Sequence, residues 1–392
     1  MSPIIPPRAI FALVPTAAVN EQVRRHADVR VALLGFGFAG RVFHAPLIAA
    51  TPGLTLAVVG SRQKESVRSA YPDVDVVPDP LAAVRHRDVD LVVIATPNDT
   101  HAPLADAALR AGKHVVVDKP FTITLAEARA LAERATEVDR LLSVFQNRRW
   151  DSDFLGIARE LAAGRIGEVV EFRSEFSRHR PEVRDRWRER PGAGSGMWYD
   201  LGPHLIDQAL VLFGPPETVQ ADLQVQRSGG STVDWFHALL GYAGRRVMLT
   251  SSMLAADTAT RFLVRGVSRS LVKRGGDVQE AQLKAGQTPG SPGWGRDPDP
   301  LLLVSAEEEA PTEIAPPAGD WRGYYVAVRA AIRGESELPV TPAHATTVMT
   351  VIEAGMQSSD EGRVVRPSYT HAERVAWRPV VSRVPSSHTF TR

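Results

Sequence analysis

The sequence predicts an α/β protein in which a doubly wound parallel sheet is followed by a second domain with an open-faced mixed or antiparallel sheet. Over the first third of the chain, apolar runs of strand length alternate with helical segments. After about Asn147, strands follow one another with few helices between them. The first pattern is typical of a parallel sheet covered by helices on both faces, and the second is typical of an α+β domain.

Composition places the chain among ordinary globular proteins. Its 392 residues are enough for two or three domains, and 44% of them are hydrophobic and 23% charged. The net charge of +1 gives no reason to expect nucleic acid or a membrane surface as a partner. Cysteine is absent, which fits a reducing compartment, so we expect a cytoplasmic protein.

Four segments are expected along the chain. Residues 1–28 contain an apolar stretch broken by prolines and lack the basic start of a signal peptide, so we expect a flexible extension. Residues 29–147 are expected to bind a nucleotide, and residues 148–371 to bind substrate and form the oligomer. Residues 372–392 are expected to be a tail.

The individual elements are predicted from apolar periodicity and capping residues. In the first domain a helix is expected from Leu125 to Glu137, because Thr124 and Glu127 form a capping box at its start. Strands are expected in the first domain at 29–34, 54–59, 91–95, 115–117 and 141–145. In the second domain they are expected at 168–176, 218–225, 234–242, 247–253 and 261–264, with helices at 153–163, 203–213, 321–332 and 343–356.

A glycine-rich loop links the first strand to the first helix. Its G-x-G-x-x-G pattern allows a tight turn, close approach of backbone amides to a pyrophosphate, and close packing of helix on strand. This context of strand before and helix after is that of a Rossmann dinucleotide-binding domain. The predicted cofactor-binding residues of the loop are Gly35, Phe36, Gly37, Phe38, Ala39 and Gly40.

The end of the second strand indicates which dinucleotide is bound. An acidic residue there would bind the ribose 2′-hydroxyl of NAD, whereas this chain has Ser61 and Arg62 and no carboxylate. Both side chains are suited to a 2′-phosphate, so we predict NADP, with NAD as the alternative. The alternative for Arg62 is a solvated helix start. The turn after the third strand adds four candidate cleft residues, namely Thr96, Pro97, Asn98 and His101.

Two further motifs carry candidate catalytic groups. A buried strand ends in Asp118, Lys119 and Pro120, which places an ammonium group at the edge where open α/β sheets bind ligands. Asp118 and Lys119 are also expected to contact the cofactor. A glycine-rich stretch then precedes Asp200 and His204, with Pro203 at what we take as the first helical position. Asp207 lies three residues after His204 and is expected to orient its ring. The alternative for His204 is a structural role.

Together, these three motifs resemble those of the glucose–fructose oxidoreductase, inositol dehydrogenase and MocA family. The resemblance covers roughly residues 29–367 and is closest to the subgroup that contains NADP-dependent scyllo-inositol dehydrogenases. The family usually has Glu-Lys-Pro, and this chain has Asp118 at the first of these positions. The carboxylate is therefore retained but is one methylene shorter.

The resemblance implies hydride transfer between NADP and a secondary alcohol of a cyclic polyol or sugar. It implies that Lys119, Asp200 and His204 are catalytic, that the bond from Lys119 to Pro120 is cis, and that the outer face of the second sheet forms a homodimer or homotetramer. His204 is our choice as general base, with Lys119 stabilising the developing alkoxide. Lys119 as the base is an equally open alternative.

Substrate contacts are expected from Asn147, Arg149 and Tyr199, with Arg184, Arg186, Trp187 and Arg188 as further candidates. No cluster at metal-ligand spacing occurs in the sequence, so no metal is expected.

Two other functions are alternatives to the one that the resemblance implies. One is a dehydrogenase or reductase of another sugar or carbonyl compound. The other is a non-catalytic, NADP-binding regulator, and such proteins tend to lack the lysine or histidine that this chain has.

Overall fold

The computed structural model describes residues 28–257 and 260–381 of the chain. The expected N-terminal extension lies outside the described residues apart from Asp28, as do residues 382–392 of the expected tail. Within the described part, no helix is both long and apolar enough to cross a membrane.

The first domain contains a six-stranded parallel sheet in the order β3-β2-β1-β4-β5-β6. This order confirms the predicted doubly wound fold. Each predicted strand is present within two residues of its expected ends, and the edge strand β3 was not predicted. The strands are β1 (Val29–Leu34), β2 (Leu54–Gly60), β3 (Asp75–Val77), β4 (Leu91–Ile94), β5 (His114–Val117) and β6 (Leu142–Val144).

Helices cover this sheet and begin where the strands end. The glycine loop leads into a π-helical turn (Gly40–His44) that continues as α1. The capping box predicted for α5 is present, with Thr124 accepting from the Glu127 amide. The α-helices are α1 (Ala45–Ala49), α2 (Lys64–Ala70), α3 (Pro80–Val84), α4 (His101–Arg110) and α5 (Leu125–Glu137).

The second domain contains an eight-stranded mixed sheet, as predicted. Its order is β14-β13-β12-β11-β7-β10-β9-β8, and only the pairing of β7 with β10 is parallel. The last three strands were not predicted. The strands are β7 (Val169–Glu175), β8 (Thr218–Gln224), β9 (Trp235–Tyr242), β10 (Arg245–Ser252), β11 (Phe262–Gly266), β12 (Ser270–Lys273), β13 (Leu301–Val304) and β14 (Thr312–Ile314).

The helices of the second domain join its sheet to the first domain. Helix α7 packs on β9 and β10, whereas α10 packs on both β8 and α5, and α9 packs on α1. The two sheets share a continuous apolar core, and the candidate catalytic motifs lie where the two domains meet. The helices are α6 (Ser152–Ala162), α7 (Gly196–Phe213), α8 (Gln279–Lys284), α9 (Arg322–Ile332), α10 (Pro342–Glu361) and α11 (His371–Val375).

Two expectations about the second domain are corrected by the structure. Helix α7 begins at Gly196, so Pro203 lies inside the helix and not at its first position. The helix tolerates this because it is buried along almost its whole length, and packing outweighs the hydrogen bond that proline removes. Residues 372–381 were expected in the tail, but the Val380 and Val381 amides donate to carbonyls of α7, which extends the domain to residue 381.

Candidate active site

Lys119 is the residue on which the site is built. It lies two residues after the end of β5, and its bond to Pro120 is cis, as expected. Its ammonium nitrogen Nζ donates to the Asp200 carbonyl oxygen at 2.6 Å and to the Asp200 carboxylate oxygen Oδ1 at 2.9 Å. The structure thus brings together Lys119 and Asp200 of the two candidate catalytic motifs, which are 81 residues apart in the sequence.

Asp200 is surrounded by cations. Its Oδ1 lies 3.6 Å from Nε of Arg188, in addition to its contact with Lys119. Burial acts to raise the pKa of Asp200, but Lys119, Arg188 and Arg178 outweigh it and hold that pKa well below its ordinary value. Asp200 is therefore a carboxylate at neutral pH and is the anion that fixes the position of Lys119.

His204 lies one helical turn after Asp200, on the same face of α7. The ring is buried, and its Nδ1 has no hydrogen-bond partner among the described residues. Burial, together with the charges of Lys119 and Arg148, lowers the pKa of His204 well below its ordinary value. The imidazole is therefore neutral near pH 7, and its buried Nδ1 is left without a partner among the described residues.

Asp207 does not orient His204, contrary to our expectation. Both of its carboxylate oxygens accept from Arg149, at 2.7 and 2.8 Å, and Arg149 also donates to the Pro339 carbonyl.

The three residues predicted to bind substrate differ in whether their side chains already have hydrogen-bond partners in the protein. Arg149 is held in this ion pair, and the Tyr199 hydroxyl donates to the Ile123 carbonyl at 2.9 Å. The buried Asn147 side chain makes no hydrogen bond to the described residues, which leaves it available to a ligand.

A buried network behind Lys119 was not found from the sequence. Asp118 accepts from the Lys119 amide through Oδ1, and its Oδ2 lies 3.6 Å from His44 Nε2. Nδ1 of His44 in turn lies 2.6 Å from the Tyr325 hydroxyl oxygen on α9. His44 and Tyr325 are 281 residues apart, so no sequence spacing indicates this contact. The network fixes the backbone that carries Lys119.

The turn after β4 lines the same cleft. His101 is buried and contacts two carbonyl oxygens, that of Pro120 at 2.8 Å and that of Thr96 at 3.0 Å, so it holds this turn against the lysine loop. Asn98 donates to the Gly194 carbonyl at 2.8 Å and thereby links the turn to the segment before α7. Contacts of Thr96, Pro97, Asn98 and His101 with a cofactor remain predictions.

The glycine loop has the geometry that a dinucleotide requires. A Cβ atom at Gly35 or Gly40 would lie 2.6 or 2.1 Å from a backbone oxygen, so these two glycines are needed for packing. A Cβ at Gly37 would meet nothing within 4 Å, and the space beside this residue is open to a phosphate group. Phe36 is buried, whereas the Phe38 ring is half exposed beside Phe43. The loop therefore fits the pyrophosphate of a dinucleotide cofactor.

Ser61 and Arg62 follow β2 at the same edge of the sheet. The Ser61 hydroxyl accepts from the Gln63 amide at 3.1 Å and is nearly buried, whereas Arg62 is exposed. No acidic side chain occurs between β2 and α2. This placement is compatible with the predicted recognition of a 2′-phosphate.

The fold and the site define an oxidoreductase that binds a nicotinamide dinucleotide. Residues 29–146 match the model of an oxidoreductase family with an NAD-binding Rossmann fold, and residues 158–366 match its C-terminal alpha/beta domain. The chain belongs to this family, the GFO/IDH/MocA oxidoreductases.

Individual relatives match over most of their length. The oxidoreductase YdgJ of Escherichia coli is 50% identical over 85% of this chain and 96% of its own. The NADP-dependent scyllo-inositol 2-dehydrogenase IolW of Bacillus subtilis is 36% identical over 87% of this chain and 97% of its own. A crystal structure of an oxidoreductase from Klebsiella pneumoniae has a TM-score of 0.84 and 49% identity, covering 90% of this chain and 98% of that chain.

Proposed function

We propose that this protein catalyses reversible hydride transfer between NADP and a secondary alcohol of a cyclic polyol or sugar. The observation that carries the proposal is the Lys119 ammonium group held by Asp200, with an unpaired His204 nitrogen one helical turn away. Bound NADP would supply the hydride acceptor. The similarity to a scyllo-inositol dehydrogenase supports the choice of substrate class.

Lys119 and His204 have complementary tasks in this proposal. An ammonium group has three N–H donors, and Asp200 accepts from Nζ at two oxygens. The remaining donor is free to bind the reacting hydroxyl and to stabilise the alkoxide that develops on it. His204 is neutral and accepts the hydroxyl proton. The protonated imidazole formed in this way is stabilised by the Asp200 carboxylate.

Purified protein tests the proposal directly. NADP and NAD reduction is followed by absorbance with a panel of inositols, hexoses and open-chain polyols. We expect reduction of NADP with at least one cyclic polyol or sugar, and a lower rate with NAD. Oxidation of open-chain compounds only would favour the alternative substrate class. Tight NADP binding without turnover of any compound would indicate the regulator, and a preference for NAD would contradict the assigned roles of Ser61 and Arg62.

We also propose that the chain forms a homodimer or homotetramer through the outer face of the eight-stranded sheet. Helices α6, α7 and α10 pack against this sheet, and side chains such as Val170 and Val304 on its strands are more than one-third exposed. Light scattering on the purified protein tests this, and a Val170→Glu variant should shift the mass towards that of the monomer.

A further inference from the structure

The ring of Phe176, just after β7, is contacted by three guanidinium groups. The carbon Cζ lies 4.5 Å from the ring centroid for Arg148, 5.2 Å for Arg261 and 5.3 Å for Arg178. Two of these three cations have carboxylate partners. Arg148 pairs with Asp151 and Glu280, and Arg261 lies 3.3 Å from Asp153. Among the described residues, the guanidinium group of Arg178 has neither an ion-pair nor a hydrogen-bond partner.

Asp200 does not neutralise this excess charge. Its carboxylate already accepts from Lys119 and lies 3.6 Å from Arg188. This single negative charge is therefore shared by two other cations and does not neutralise Arg178. The segment from Arg178 to Arg190 contains six arginines and three carboxylates. Two of those carboxylates, Asp185 and Glu189, pair within the segment with Arg190 and Arg186. The segment therefore carries an excess of three positive charges, and its Arg178 and Arg188 act on Asp200 beside Lys119.

The two carboxylates whose charges act on Arg178, Asp200 and Glu280, are each shared with two other cations. A partly buried cation that is not fully compensated is costly unless a ligand supplies the missing charge. Burial lowers the pKa of Arg178, which is consistent with that cost, and the charge of Arg178 also helps to lower the pKa of Asp200. An arginine stacked on an aromatic ring presents a fixed fork that matches a carboxylate or a phosphate. The stacked ring thus holds Arg178 in position for an anion.

We infer that the substrate is an anionic sugar or polyol, in which a carboxylate or phosphate group binds Arg178 while a hydroxyl group binds Lys119. This inference rests on the proposed function and narrows its substrate class. It adds to the site a specificity residue, Arg178, that lies in the second domain, near Asp200 and away from the glycine loop. The oxidised nicotinamide is positively charged, so a substrate anion would be attracted most strongly in the alcohol-oxidising complex.

Binding to the protein–NADP complex tests the inference without requiring turnover. Calorimetry compares the neutral probes D-glucose and myo-inositol with the anionic probes D-glucuronate, D-gluconate and D-glucose 6-phosphate. We expect at least one anionic probe to bind ten times or more tighter than its neutral counterpart, and the Arg178→Gln variant to lose that preference. The carboxylate and phosphate probes show which anion is recognised. The Arg190→Gln variant is the matched control, because Arg190 is exposed and paired with Asp185.

Two results would overturn the inference. One is the absence of a preference that depends on Arg178: neutral and anionic probes bind equally, or Arg178→Gln leaves the preference for the anionic probe unchanged. The other is weaker NADP binding by Arg178→Gln together with an unchanged preference for anionic probes, which would assign Arg178 to a cofactor phosphate. If Arg178→Gln does not fold, Arg178→Lys keeps the charge without the fork and should retain only part of the preference. Failure of the proposed function would appear separately, as absence of NADP reduction by every neutral polyol or sugar and by every anionic probe.

Discussion

At the scale of single residues, Lys119 is positioned by contacts that leave its chemistry free. Asp200 accepts from Nζ twice, and Asp118 holds the Lys119 amide, so both ends of the residue are fixed. A substrate oxygen bound to the remaining N–H of Lys119 would be stabilised by an ammonium group that does not have to move during hydride transfer. Such preorganised donors contribute more to catalysis than mobile ones do.

Replacing Lys119 with methionine is therefore expected to lower kcat/KM by about 100- to 10,000-fold, because the hydrogen-bond donor that stabilises the developing alkoxide is lost. NADP affinity should change little. Rates are measured by absorbance and affinity by calorimetry. Lys113→Met is the matched control, because Lys113 lies just before the other end of β5 and donates to the carbonyls of His86 and Val89. Near-normal turnover in Lys119→Met would contradict the assigned role.

His204 gives a prediction about pH. Its pKa lies below the ordinary value of 6.5, so the ring is neutral and able to accept a proton throughout the range above pH 6.5. For alcohol oxidation, titration of His204 should leave kcat/KM unchanged near neutral pH, and kcat/KM should fall only as the pH drops below 6.5. In His204→Asn this acidic limb should disappear along with most of the activity. If kcat/KM instead rises only at alkaline pH, and His204→Asn keeps that dependence, Lys119 would be identified as the base.

The residues of the site differ in how far the sequence predicts them. Lys119, Asp200 and His204 belong to local sequence motifs, one that follows a buried strand and one that follows a glycine-rich stretch. The pairing of Arg149 with Asp207 and the contact of His44 with Tyr325 were missed, because both depend on packing between distant elements. Asp207 is close to His204 in sequence and was expected to bind its ring, but the Asp207 carboxylate binds the guanidinium group of Arg149. The excess positive charge at Arg178 could not be predicted, because the structure is needed to show which carboxylates pair with the neighbouring arginines.

At the scale of elements, the sequence predicts long periodic segments well and short edge strands poorly. Helix α5 was predicted with its ends, because the capping box marks the first turn. Strand β3 has three residues and begins with Asp75, so it lacks an apolar run. The start of α7 was misplaced because its first turn contains Gly196, and Pro203 imitates a first helical position. Only burial of the whole helix explains why it continues through a proline.

The glycine loop gives a prediction that separates packing from ligand binding. Gly37→Ala places a methyl group in open space, so the free energy of unfolding should stay within about 1 kcal/mol of wild type. NADP affinity should fall, because that space is where we expect the pyrophosphate. Gly40→Ala would instead place Cβ 2.1 Å from the Gly35 oxygen and should lower stability by more than about 2 kcal/mol. Urea unfolding and NADP titration measure the two effects, and unchanged NADP affinity in Gly37→Ala would contradict the placement.

At the scale of the whole molecule, side chains of the first sheet are tied to distant segments by buried polar contacts. The Tyr324 hydroxyl on α9 donates to Ser143 on β6, and Ser143 donates to the Val340 carbonyl before α10. Asn98 and Gly194 join the two sides of the cleft near Lys119. Such contacts fix the distance between the glycine loop and α7, which hydride transfer requires to be constant.

Arg149 is the most consequential of these connections. It follows β6, and its guanidinium group binds Asp207 on α7 and the Pro339 carbonyl, so one side chain joins three parts of the chain. Arg149→Met should destabilise the protein by about 3–5 kcal/mol, because it leaves the buried Asp207 carboxylate without its partner. The double variant Arg149→Met/Asp207→Leu should recover much of that loss, because no unpaired charge remains. Urea unfolding of the cofactor-free protein measures both. If Arg149 instead binds substrate, as the sequence suggested, Arg149→Met would unfold like wild type and raise KM alone.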